Sequence, residues 1–128
     1  IMHLVAQSDK QFIITAHTLS QYNESSMEYE VSVPIKGALK NQGIESYFSN
    51  VIGVKKMPTV KLEDYTSDLL NITEDEDDLG FKHTLQTRLT KETVNESIKS
   101  AQGLFTKQET FIDGNMQLVI NRLREYYA

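Results

Sequence analysis

Two short stretches of this 128-residue chain hold side chains suited to phosphate chemistry. In the first, the apolar run Phe12-Ile13-Ile14 gives way to Thr15, Ala16, His17 and Thr18. In open α/β sheets, ligands bind beyond the carboxyl ends of strands, and a histidine there can hydrogen-bond a phosphate or orient a water. The alternative is that His17 satisfies backbone groups at the strand end. In the second stretch, Arg88 stands three residues before Lys91. The forked guanidinium of arginine suits phosphate recognition; the alternative is a solvated edge strand carrying protective charges.

Other chemistries are poorly served. His3, His17 and His83 lack HExxH-type spacing, and with no cysteine a thiolate zinc site is excluded, so no metal site is expected. Asp75, Asp77 and Gly80 faintly follow a calcium loop, but Leu79 holds a ligand position and Gln86 stands where a bidentate glutamate is needed. The run Glu74 to Asp78 therefore reads as a solvated loop. No GxSxG elbow accompanies either His17 or His83, which leaves a small hydrolase a weak third possibility. No GxxxxGK[ST] phosphate loop is present.

The elements that would position these residues follow from periodicity. Residues 1–8 read as the end of a helix, Asp9-Lys10 as a turn, and residues 11–16 as a strand buried on both faces. Residues 18–30 are polar and read as a loop or loose hairpin. Gly37 precedes a short helix with Leu39, Ile44, Tyr47 and Phe48 as its contacts, and residues 50–56 form a second strand. Residues 59–70 read as a helical turn or two. In 81–89 the residues alternate, with Phe81, His83, Leu85, Thr87 and Leu89 facing one way and Lys82, Thr84, Gln86, Arg88 and Thr90 the other, as in a half-buried strand. Gly103 marks a turn. Asp113 would cap a last helix whose stripe is Met116, Val119, Ile120, Leu123, Tyr126 and Tyr127. Strands alternating with helices predict an α/β fold with a mainly parallel sheet and flanking helices, in one domain over 1–128.

Composition narrows the partners. A formal net charge of −5 argues against a generic binder of nucleic acid or membrane surfaces. The longest apolar runs are too short to span a bilayer. Asn23, Asn71 and Asn95 each open an Asn-x-Ser/Thr triplet; with nothing resembling a signal peptide, these read as chance matches in a cytoplasmic protein. Ile1, Leu4 and Val5 have helical spacing with no capping residue ahead of them, the expectation for a piece of a longer protein.

Taken in order, "FIITAHT", a polar loop and "VPIKGALKNQGIESYFSNVIGVKK" resemble the second half of a RecA-like ATPase core. "FKHTLQTRLTKETVNESIKSAQGLF" and "ETFIDGNMQLVINRLREYYA" extend the likeness toward the C-terminal part of phage-encoded recombination or replication ATPases. The resemblance implies that His17, with Thr18 beside it, senses nucleotide phosphate. It implies that residues 19–32 contact DNA, that Pro34 and Gly37 make the turn beyond, with Gly37 and Thr18 placed to bind the nucleotide, and that Arg88 and Lys91 reach the nucleotide of a neighbouring subunit. It further implies ATP and magnesium as cofactors of the intact protein, and assembly into a ring or filament on DNA in the host cytoplasm. The Walker A and B segments are missing, so this chain alone is not expected to bind cofactor or hydrolyse ATP. The loop 19–32 holds three glutamates and no lysine or arginine, a poor match to phosphate contacts. The competing expectation is a stand-alone, non-catalytic α/β module that acts through protein contacts as a dimer.

Overall fold

A computed structural model describes residues 10–34 and 44–128. The chain divides into two units, one of residues 1–49 with 93–97, the other of residues 50–92 with 98–128.

In the first unit, β1 (Leu19–Asn23) and β2 (Glu28–Ser32) form an antiparallel hairpin, in register from Leu19↔Ser32 to Asn23↔Glu28. Met27 closes the turn with φ 57°, the left-handed region that a non-glycine residue adopts only at some cost. Across the strands Tyr22 and Tyr29 pack with ring centroids 5.2 Å apart. The segment 93–97 lies along β2: the Val31 N–H donates to the Asn95 carbonyl at 3.1 Å, and Asn95 Nδ2 donates to the Tyr29 carbonyl at 2.6 Å. Ile44–Tyr47 is a single 3-10 turn in the region expected to be helical; it stops before Phe48, and residues 38–43 of that expected helix, with Gly37, lie outside the described residues.

In the second unit, β3 (Gly53–Pro58), β4 (Phe81–Gln86) and β5 (Phe111–Asp113) form an antiparallel sheet in that order. Pairing runs from Gly53↔Gln86 to Pro58↔Phe81, and β5 adds Thr84↔Asp113 to Gln86↔Phe111. The expected parallel sheet is thus overturned, and among the described residues every strand pairing is antiparallel. Chain geometry gives the reason. A parallel crossover needs a helix long enough to carry the chain back along the sheet. Residues 59–80 supply only α1 (Thr59–Leu62) and α2 (Glu74–Leu79). At ~1.5 Å per residue α2 covers roughly 9 Å, against roughly 20 Å for a six-residue strand. The chain therefore re-enters the sheet beside the end it left, with Phe81 opposite Pro58. The expected buried strand at 11–16 is also absent: these residues form no strand and are exposed.

The acidic run is a helix rather than a loop. Thr73 caps it, its hydroxyl accepting the Glu76 N–H at 3.2 Å while the Glu76 carboxylate accepts the Thr73 N–H at 3.0 Å. Glutamates and aspartates in the first turn suit the helix dipole. Gly80 ends it at φ 82°, its N–H reaching the Glu76 carbonyl at 2.9 Å. Gly80→Ala should lower stability by about 1 kcal/mol, from the backbone conformation alone, since a Cβ there meets open space. Urea unfolding midpoints check this.

The core lies on one face of the sheet, where Leu85 and Ile112 meet Leu104, Phe105 and Val119. Val119 comes from α3 (Met116–Tyr126), the helix foreseen from its apolar stripe. Its cap is Asn115, which accepts the Gln117 N–H at 3.0 Å, and not Asp113. The other face is covered as well, with Leu62 buried and Tyr65 edge-on to Phe111 at 4.9 Å.

Candidate functional site

The polar side of β4 is where sequence and structure part most. Lys82, Thr84 and Gln86 were expected to face solvent, yet they are only 7%, 0% and 0% exposed. His83 on the alternate face is exposed, but the Lys82, Thr84 and Gln86 face of this central strand is covered, so its polar groups need internal partners. Lys82 Nζ lies 2.9 Å from Glu76 Oε1 and 3.2 Å from Asp113 Oδ1. Thr84 Oγ1 donates to the Lys55 carbonyl at 3.2 Å. Gln86 Nε2 donates to the Arg88 carbonyl at 2.8 Å, and Thr87 Oγ1 to the Glu109 carbonyl at 2.7 Å. Burial opposes the charge on Lys82, but hydrogen bonds to Glu76 and Asp113 outweigh it and hold the ammonium above its usual range. A lysine held this firmly protonated is no nucleophile or base; it ties α2, β4 and β5 together.

A second ion pair closes the far side of the same unit. Arg122 of α3 grips Glu109 in a fork, Nη1 to Oε1 at 2.8 Å and Nη2 to Oε2 at 2.6 Å, and donates to the Leu104 carbonyl at 3.0 Å. The guanidinium, helped by the Thr106 N–H, holds the Glu109 carboxyl at about 2. Both networks bind elements of the fold to one another.

The residues singled out for phosphate chemistry are differently placed. His17 and Thr18 are exposed, in a stretch without regular structure that leads into the amino end of β1, not at the carboxyl end of a strand. Gly37 lies outside the described residues. Arg88 and Lys91 are exposed on the loop after β4; the strand ends at Gln86, and the Gln86 amide braces that loop through the Arg88 carbonyl. His17 and Thr18 are adjacent in the chain, and Arg88 and Lys91 share the loop after β4. The geometric ground for a phosphate sensor at His17, a buried parallel strand ending there, is gone. The presumed DNA loop 19–32 is the β1–β2 hairpin, and an open groove on it is lined by Gln21, Tyr22, Glu24, Glu30 and Ser32. Such a polar, acidic lining lacks the apolar walls of a small-molecule site. Among the described residues, no group of three or more His, Asp or Glu could hold a metal ion. No described helix is long and apolar enough to cross a membrane.

What sequence reasoning missed is the exposed apolar surface of the first unit. Phe12, Ile13 and Ile14 lead into β1, and Leu19, Tyr22, Met27 and Tyr29 continue along the hairpin, with Ile13 61% and Tyr22 50% exposed. No described residue of this unit is buried. The apolar signal in "FIIT" was legible, but was read as a strand inside a sheet rather than a surface awaiting cover.

The chain matches no family model, no curated protein and no solved structure.

Proposed function

We propose that this chain is a non-catalytic interaction module that associates with a second copy of itself through the hairpin unit. One observation carries the reading: the first unit displays a run of large apolar side chains and buries none of its described residues. A two-stranded sheet alone is marginal in water, and needs further strands or an apolar cover to be stable. Large apolar side chains left exposed together in one small unit mark an interaction site. A second copy suits it because β1, Leu-Ser-Gln-Tyr-Asn, is uncharged, so two copies meet there without like-charge repulsion. The second unit has a buried core of its own, whereas the hairpin unit has none among its described residues.

Light scattering tests this. The unaltered chain should have a mass above that of one copy, and Ile13→Ser should shift it toward the monomer while the second unit keeps its stability. A strict monomer that assembles only when ATP and magnesium are added would contradict the proposal. That outcome would instead favour the phosphate-sensing reading of His17, Arg88 and Lys91 within a phage RecA-like ATP-binding protein.

A further inference from the structure

Building on that self-association, we infer that the two copies join strand to strand through β1, antiparallel and centred on Gln21, to make one four-stranded sheet. The hydrogen bonds of β2 fix which groups are available. Along an antiparallel strand, successive residues turn their N–H and C=O alternately toward and away from the neighbouring strand. The Tyr29 carbonyl and the Val31 N–H are taken by Asn95, so both residues turn these groups away from β1. Their cross-strand partners, Tyr22 and Ser20, must then turn theirs away from β2. The outer edge of β1 therefore offers the N–H and C=O of Ser20 and Tyr22, and among the described residues β1 pairs only with β2.

Only one register uses all of these groups symmetrically. With Gln21 opposite its own copy, Ser20 faces Tyr22 of the second copy and Tyr22 faces its Ser20. Each of these two pairs exchanges two backbone bonds, which makes an isologous contact with four in all.

Charge selects this edge over the other. β2 carries Glu28 and Glu30. Pairing through β2 would bring the two sets of glutamates within one strand spacing, ~5 Å. Pairing through β1 puts two uncharged strands between them, so that Glu30 and its copy stand three spacings apart, ~14 Å, beyond the ~8 Å screening length at physiological salt. The β2 edge is also already occupied by Asn95. The β1 edge has none of the usual protections, with no lysine, proline or bulge in Leu19–Asn23. On the sheet face opposite the glutamates, Tyr22 and Tyr29 from both copies would form a continuous aromatic surface.

The chain has no cysteine, so a single introduced thiol reports the pairing. In the proposed register the two Gln21 positions form a non-hydrogen-bonded pair with Cα atoms ~4.5 Å apart, within disulfide reach. Under mild oxidation Gln21→Cys should form a covalent dimer at least tenfold faster than Glu30→Cys, whose thiols would stand too far apart. Sedimentation of both reduced variants, run alongside, reports association independently of the cross-link. If both reduced variants are dimers yet Glu30→Cys links as fast as Gln21→Cys, or Gln21→Cys does not link, the β1 pairing is wrong and self-association stands. If both are monomers at every concentration, self-association itself is wrong.

Discussion

Arg122→Ala should destabilise the second unit by about 3 kcal/mol, the largest loss expected of a single polar substitution among the described residues. The reason lies with the partner left behind. Glu109 is only 9% exposed, and its carboxylate takes two short bonds from the guanidinium, 2.8 and 2.6 Å. Removing Arg122 strands a buried charge with Thr106 as its remaining support, through the N–H at 2.9 Å and the side-chain hydroxyl. It also strips the Leu104 carbonyl of its bond and uncovers Phe105, whose ring lies 5.4 Å from the guanidinium carbon. Arg122→Lys should recover less than half of the loss, because an ammonium cannot form the fork. Urea unfolding of the three proteins checks both values. The pH dependence follows from the same pair. The carboxyl of Glu109 sits at about 2 in the folded state against 4.5 for an unperturbed glutamate. A depressed carboxyl stabilises fully above its unfolded value, so the contribution is complete above pH 4.5 and is lost as pH falls from 4.5 toward 2. At ~1.4 kcal/mol per pH unit this amounts to about 3 kcal/mol, and Glu109→Gln should flatten the acid limb of the stability curve.

Lys82→Ala comes next, with an expected loss of about 2 kcal/mol. The ammonium holds α2 and β5 against the middle strand through Glu76 and Asp113, and Asp113 in turn accepts the Asn71 N–H at 2.9 Å. The loss stays below that of a fully enclosed pair because both carboxylates keep partial access to water, 26% and 32% of their side-chain surface. They can rehydrate once the lysine is gone. Lys82→Met, which keeps the buried stem, should retain part of what Lys82→Ala loses and so separates packing from charge. Because the lysine is held above its usual range, its stabilisation persists through neutral pH and fades only in alkali, above 10.5 and through the raised folded value. Thermal unfolding at neutral and strongly alkaline pH would show the gap between native and Lys82→Met closing.

Much of the second unit was legible in the sequence where period and length agree. The alternation in 81–89 marked β4, which ends earlier, at Gln86, and the stripe from Met116 to Tyr127 marked α3. Sheet direction was not legible from alternating element types alone; the short helices between Pro58 and Phe81 were the signal, and they rule out a parallel return. The burial of Lys82, Thr84 and Gln86 could not be read from alternation, because a polar residue looks the same whether it meets water or a partner distant in sequence. Thr73-x-x-Glu76 was a readable capping signal, obscured by the charge run behind it. Asp113 looked like a helix cap, but its carboxylate serves Lys82 and the Asn71 N–H instead.

Of the candidate site, the apolar character of 12–14 was visible and its exposure was not. Three apolar residues in a row suit a buried strand and an uncovered surface equally. The open edge of β1 needed the register of the hairpin and the bonds from Asn95 before the roles of Ser20 and Tyr22 could be assigned.

Sedimentation equilibrium of the unaltered chain, without nucleotide, over a wide concentration range tests self-association most directly. The expected mass rises to about twice the 14.6 kDa of one chain and falls back on dilution. A mass of 14.6 kDa at every concentration would contradict it.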